Sequence, residues 1–503
     1  MALIVAGERS GVGKTTVTLA LLSYLQRQKF QVQSFKVGPD YIDPMFHRYV
    51  TGRPCRNLDP VLTSERYVQQ CFDRAVQTAT HALVEGVMGL FDGAAGRKDF
   101  ASTAHIARLL DLPILLVLNC SGMSHSIAAI AHGYRSLDPR LKFAGVVLNR
   151  VGSDRHLELL SAALEPLNIP ILGVLRRQDE ITIPDRHLGL IPTAELGSLD
   201  TILDRLAHLG ATCFDWTQLM PLLERQKVEG RRQEAGEARE VGDSMLTAYT
   251  PSPISHPPSP IPHPRIAIAQ DSAFSFYYAD NLDVLEALGA ELIPWSPLHD
   301  RALPENVQGL YFGGGFPEVF AEPLAANVSA RQAVQTAIQA GMPTYAECGG
   351  LMYLCENITN FEGQAFPMVG VLPTTAVMGK RLTLGYRQAI AREESLMLAK
   401  GAIVWGHEFH RSYLEDESPT PLFELRSQAG EQAEPTISST FRPQWALESE
   451  HKPLNKPHSR EGWQRPHLHA SYLHLHWGAN PESPIRFLNC ASRYFKTPSI
   501  KVV

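Results

Sequence analysis

Two short stretches of this chain set glycines beside reactive side chains at spacings suited to chemistry. The first is GERSGVGKTT, residues 7–16, directly after the apolar run 2–6. Gly11 and Gly13 let successive backbone N–H groups turn toward one anion, and a following helix adds the positive end of its dipole. In that frame the loop Gly11-Val12-Gly13-Lys14-Thr15-Thr16 binds ATP. Lys14 reaches the terminal phosphates, and the Thr15 hydroxyl ligates Mg²⁺. The standard phosphate loop, G-x-x-x-x-G-K-[ST], calls for glycine at position 8. Glu8 stands there, and the glycine comes one residue early, at Gly7.

The second stretch is TYAECGGL. Cys348 falls on an expected sharp turn between strand and helix, where a thiol is exposed and the helix N-terminus favours its thiolate. The Gly349 N–H, with Gly314 and Gly315 from LYFGGGFPE, would form an oxyanion hole. The base should be a histidine distant in sequence, and SYLHLH offers His474 and His476. GHEFHRS is excluded as a zinc protease site, because His407 and His410 are three apart in a β-rich run and the metal needs four on a helix.

Acids and a lysine cluster after neighbouring strands. KVGPDYIDP contributes Lys36, Asp40 and Asp43, and VEGVMGLFDG contributes Glu85 and Asp92. Ligands of open α/β sheets bind at such carboxyl ends. A carboxylate such as Glu85 at a strand end holds Mg²⁺ directly or through water. Further on, Asn149 would present its amide to the adenine edge, and the Ile191-Pro192 turn would wall the base.

The elements that must position these residues follow from the hydropathy rhythm. Strands are expected at 2–6, 32–35, 82–84, 114–118 and 144–148, with helices between them such as 14–28. This βαβα order predicts a P-loop domain over 1–222 with a largely parallel sheet. Residues 223–264 are charged, then rich in Pro and Ser, and are expected to be a flexible linker. Alternation resumes in 265–503, a second α/β domain with a more mixed sheet and a polar insertion around 415–465. At 503 residues about two to four domains are expected. A net charge of −6 excludes a basic nucleic-acid footprint, no apolar run matches a membrane span, and seven cysteines without C-x-x-C pairs suggest neither zinc nor disulfides. The expectation is a cytoplasmic enzyme that meets neither nucleic acid nor membrane, with a homodimer as the assembly to test.

Taken together, SGVGKTT, KVGPDYIDP, VEGVMGLFDG, LNRVGS, HLGLIP, AFSFYY, GGGFPE, ECGGLMYL, GHEFHRS and SYLHLH resemble the cobyrinate a,c-diamide synthase family over nearly the whole chain. The displaced glycine resembles the loop of dethiobiotin synthetase and its relatives, which activate carboxylates with ATP. The resemblance implies a dethiobiotin-synthetase-like ATPase domain fused to a class I glutamine amidotransferase domain. L-glutamine would be hydrolysed at Cys348, and ATP with Mg²⁺ would convert the a and c acetates of a corrinoid to acyl phosphates that ammonia displaces. It also implies that Asp40, Asp43, Glu85 and Asp92 are metal and substrate-site acids, with Asp43 joining Thr15 and Glu85 at the metal. In class I glutaminases the base belongs to a His-x-Glu pair. Here His474 takes the base position and His476 the acid's, which implies a Cys–His dyad and leaves open what orients the imidazole. Asn119 and Cys120 stand where relatives often carry an acid. Hydrogenobyrinate or nickel-sirohydrochlorin are alternative substrates. A partitioning ATPase of the ParA kind with an inactive glutaminase-like domain is the alternative of a different class.

Overall fold

Runs of Val, Ile and Leu without polar alternation are strands covered on both faces, and the first half is built on them. The computed structural model describes residues 2–94, 97–177, 185–186, 189–190, 193, 199–224, 263–426 and 459–494. Most of the expected linker and insertion, and the Ile191-Pro192 turn, lie outside the described residues. Leu3–Gly7 (β1), Val32–Val37 (β2), Arg56–Leu58 (β3), His81–Glu85 (β4), Ile114–Asn119 (β5), Phe143–Val151 (β6) and Ile171–Arg176 (β7) form one parallel sheet in the order β3-β2-β4-β1-β5-β6-β7. β1, β2, β4 and β5 are buried along their whole length. A small ribbon, Asp185–Arg186 (β8) with Gly189–Leu190 (β9), follows.

Helix α1, Lys14–Arg27, starts directly from the glycine loop after β1 and buries Val17, Leu21 and Leu25 against the sheet. Helix α2, Ile42–Thr51, follows β2, and helix α3, Glu65–Val76, is capped by Ser64 accepting from the Tyr67 N–H. The chain crosses from β1 to β2 on one side and from β4 to β5 on the other. The loops after β1, β2 and β4 therefore share one sheet edge at a topological switch point.

The second half holds two sheets. Arg265–Ala269 (β10), Glu291–Trp295 (β11), Gly309–Phe312 (β12) and Thr344–Glu347 (β13) are parallel. The other sheet contains Cys355–Thr359 (β14), Ala365–Pro367 (β15), Leu372–Ala391 (β16) and Ile403–Leu414 (β17), with Phe423–Arg426 (β18) and Ser459–Glu461 (β19) branching off. Trp463–Arg465 (β20) and Leu468–Ser471 (β21) complete the first in the order β11-β10-β12-β13-β21-β20, antiparallel only at its β20 edge. His474–Leu475 (β22) closes the second beside β17. The mixed sheet expected from sequence is thus two sheets sharing a chain at residues 468–475, one parallel but for its β20 edge and one antiparallel but for the parallel pair β14–β16.

The halves are packed together. Phe276, Tyr278 and Phe316 enter a core made mostly of Leu and Val from the first half. Asp280, buried, accepts from Tyr67 Oη at 2.9 Å and pairs with Arg74 at 3.3 Å and Arg56 at 3.7 Å, all across the interface. Among the described residues no helix is long and apolar enough to cross a membrane.

Candidate functional site

Gly13 caps α1 in a left-handed conformation with no side chain on the first-turn N–H groups, so these remain for an anion. The early glycine has a steric cause. A Cβ on Gly7 would lie 2.6 Å from Val12 Cγ2, where the loop folds back on β1. Glu8 meets no such limit: its Oε1 accepts the Asn119 N–H at 3.4 Å and its carbonyl accepts the Tyr134 hydroxyl. Asn119 itself braces the turn, accepting from the Ser121 N–H at 3.0 Å.

Lys14 is buried, and its ammonium donates to the carbonyls of Met88 and, at 3.2 Å, Arg9. Burial and the neighbouring Lys36 bring its pKa down to about 8. Asn149 is tied to the phosphate loop: its Nδ2 donates to Val12 O at 2.8 Å and its Oδ1 accepts the Arg150 N–H at 2.9 Å, so this amide braces the loop.

Beneath the loop the expected acids do converge. Thr15 Oγ1 donates to Glu85 Oε1 at 2.7 Å and sits 3.4 Å from Asp43 Oδ2. Lys36 Nζ bridges the same two carboxylates, at 2.8 Å from Glu85, with Asp40 at 3.9 Å. Burial opposes the Lys36 charge, but Asp43, Glu85 and Asp40 outweigh it and raise its pKa. Burial likewise opposes ionisation of Glu85, and Lys36 with His47 overcomes it, holding that carboxyl well below the usual range. Asp43 is pushed up to about 8 by burial and then by Asp40.

Sequence reading missed His47. It is one turn after Asp43 on α2, wholly buried, with Nε2 2.7 Å from Glu85 Oε2 and Nδ1 3.4 Å from Cys55 Sγ. The Asp43–His47 spacing of four was its only signal. Asp40 and Asp92 lie at the margin and cap turns. Asp40 Oδ1 accepts from Ile42 and Asp43 N–H, and Asp92 Oδ2 accepts from Gly89 N–H.

The hydroxyl of Thr15 and the carboxylates of Asp43 and Glu85 are the hard oxygen donors that Mg²⁺ takes, so the residues present fit that ion. Among the described residues no group of three or more His, Cys, Asp or Glu encloses a metal by itself. His407, Glu408 and His410 lie on β17, where Glu408 pairs with Arg387 at 2.7 Å.

Cys348 is held at φ 47, ψ −102 between β13 and the short helix Gly349–Leu354, a strained conformation for a non-glycine residue. Contrary to the expected thiolate, burial pushes this thiol up, the Glu318 charge adds to it, and the Gly349 N–H opposes them without prevailing. Desolvation outweighs the dipole of a six-residue helix. The oxyanion-hole glycines also separate. A Cβ on Gly349 would lie 3.0 Å from Gly315 N, so the two glycines are in contact, and among the described residues the Gly315 N–H has no acceptor. The Gly314 N–H is already given to Phe276 O at 3.3 Å. What Gly314 supplies is space, since a Cβ there would lie 2.5 Å from His474 Cε1 and 3.2 Å from Nε2.

The two candidate histidines are distinguished by their surroundings. His474 lies against this glycine loop, with Nδ1 3.5 Å from Glu347 Oε2. His476 is turned toward the interface, its ring 4.8 Å from that of Tyr278 and 5.6 Å from that of Tyr67. The first half reaches the second at this point. Tyr41, between the acids Asp40 and Asp43, places its ring 4.7 Å from that of His474 and stacks on Phe276 at 5.3 Å.

Comparison with known proteins agrees with this division. Residues 3–191 match the model of the CobQ/CobB/MinD/ParA nucleotide-binding domain, and residues 265–482 match that of the CobB/CobQ-like glutamine amidotransferase domain. The chain is 60% identical over 481 residues to the cobyrinate a,c-diamide synthase of Synechococcus sp., covering 96% of each chain. It is 51% identical to that of Synechocystis sp., over 97% of this chain and 92% of the relative. The hydrogenobyrinate a,c-diamide synthase of Streptomyces coelicolor is 40% identical, over 97% and 96%.

Proposed function

Because this chain belongs to the cobyrinate a,c-diamide synthase family, we propose that it is a C–N ligase amidating the a and c acetates of cobyrinate, with ATP and L-glutamine consumed for each amide. The observation that carries this reading is the abutment of the two sites. Tyr41, flanked by acids of the nucleotide half, packs on His474 of the glutaminase half. An enzyme that makes ammonia in one site and spends it in another gains from having them in contact.

A carboxylate is a poor acylating agent because its leaving group would be oxide. In the first half its oxygen attacks the γ-phosphorus of ATP, the bond to ADP breaks, and an acyl phosphate results. Lys14 and the loop N–H groups neutralise the phosphates, and Lys36 offers a second cation at the same edge. Thr15, Asp43 and Glu85 would hold Mg²⁺, which when bound supplies charge neutralisation to the phosphates. In the second half Cys348 Sγ attacks the side-chain amide carbon of glutamine and His474 takes the thiol proton. The Gly315 and Gly349 N–H groups face the developing oxyanion. The C–N bond then breaks, ammonia departs with the proton from His474, and water hydrolyses the thioester to glutamate. Ammonia attacks the acyl phosphate, and phosphate leaves.

The test is purified protein with ATP, Mg²⁺, glutamine and cobyrinate, followed by mass spectrometry. Replacement of two hydroxyls by amino groups is expected. A parallel arm with hydrogenobyrinate serves the relative of that name. Product there and none with cobyrinate overturns the choice of substrate.

A further inference from the structure

The glutaminase chemistry proposed for Cys348 sets His474 a task that needs a fixed ring. One nitrogen, Nε2, must receive the thiol proton and return it to the leaving ammonia, while Nδ1 keeps its own proton. An unrestrained imidazole changes tautomer and turns, so a second group must hold it. A His-x-Glu pair would place that group at position 476, but His476 is turned to the Tyr67 and Tyr278 rings and its Nδ1 accepts from the Gly478 N–H.

The acid facing Nδ1 comes from elsewhere. Glu347, the residue before the nucleophile, brings Oε2 to 3.5 Å from His474 Nδ1, with both side chains buried. Its other oxygen is anchored. Oε1 accepts the Tyr345 hydroxyl and, at 2.9 Å, the N–H of Leu475, the residue after His474. Among the described residues no other donor reaches Oε2. The topology makes the meeting dependable, because Glu347 ends β13 opposite Ser471 of the parallel β21, and the chain turns from there into β22. Beside the ring also lie the Gly314 loop, the Tyr41 face and His407, its partner across β17 and β22, and none of these is an anion.

We propose that Glu347 is the positioning residue of the glutaminase: it accepts the Nδ1 proton of His474, keeps Nε2 free as the base, and balances the imidazolium formed in each half-reaction. A purely structural role would be met by Oε1, which ties β13 to β22 through Leu475, and would leave the direction of Oε2 unexplained. This inference rests on Cys348 and His474 acting as a glutaminase, and is independent of which tetrapyrrole is amidated.

The test follows glutamate release from L-glutamine across pH in the full-length protein and in Cys348→Ala, Glu347→Gln and Tyr345→Phe, each with a thermal melt. Cys348→Ala is expected to abolish release, and if it does not, the glutaminase reading itself fails. In Glu347→Gln, kcat should fall by about 100-fold or more with little change in KM. The acid limb of kcat/KM should move to lower pH, because an imidazolium without its carboxylate is easier to deprotonate. Wild-type kcat and an unmoved limb overturn the proposal, as does a loss confined to KM and melting temperature. Should Glu347→Gln not fold, Tyr345→Phe decides. It loosens Oε1 but keeps the carboxylate, so a smaller fall in kcat at unchanged KM, with no displacement of the limb to lower pH, is expected, whereas an unchanged kcat or a loss confined to KM and melting temperature overturns the proposal.

Discussion

In the proposed reaction Cys348 and Asp43 serve different halves, and single substitutions should separate them. Cys348→Ala removes the only atom that attacks glutamine, yet leaves the Lys14, Lys36 and Glu85 cluster intact. Amide formation is expected to vanish with glutamine and to persist with an ammonium salt, measured as product by mass spectrometry. Asp43→Asn should give the reverse pattern. It replaces a carboxyl oxygen of a buried network in which Lys36 and Thr15 both face that group. Glutamate release is expected to continue while amide formation falls by 10²-fold or more, on the order seen when a charge-stabilising group is lost. At this scale GKTT, Cys348 and the acids after the strands were legible, because their signals are local turns and strand ends. His47 was not. Its contact with Glu85 spans 38 residues and depends on α2 lying against the end of β4.

The glycine loop after β12 shows how an element assigns roles that spacing cannot. GGGFPE suggests a row of equivalent amides, but pairing with Phe276 consumes the Gly314 N–H and leaves that of Gly315. Gly314 matters through the Cβ it lacks. Gly314→Ala would place a methyl 2.5 Å from His474 Cε1 and force the ring aside. A misplacement of about 1 Å costs on the order of 10² in rate, so glutamate release should fall by that order. Ammonium-supported amidation should stay near the parent value. A parent rate of glutamate release in this variant would show that His474 tolerates the displacement. The strands themselves were well anticipated, since continuous apolar runs between glycine turns have few alternatives. The division of the second half into two sheets was not, because 468–475 passes from one sheet to the other without a break in pattern.

Across the whole molecule the interface joins an apolar contact to equally buried polar ones. Asp280 serves Tyr67, Arg74 and Arg56 at once while almost fully buried, and Tyr386 donates across it to Asp59 at 2.9 Å. Truncating one partner of a buried charge network costs about 3–5 kcal/mol. Asp280→Ala is therefore expected to loosen the halves without touching either set of reacting groups. Glutamine hydrolysis should persist while more glutamate is released per amide formed, as ammonia escapes to solvent. Measuring both products in one assay checks this, and an unchanged ratio would mean that the Asp280 contacts do not help retain ammonia.

The sequence by itself determined the parts: a phosphate loop between strand and helix, acids at neighbouring strand ends, a cysteine on a turn, and the family they resemble. Each rests on residues a few positions apart, where chain geometry leaves little freedom. Only the tertiary structure decided which distant groups meet. It set Asn149 to brace the loop, His47 behind Glu85, Glu347 before His474, and Tyr41 between the two sites. Those meetings follow from sheet order and from the packing of one half on the other, neither of which is written in local spacing.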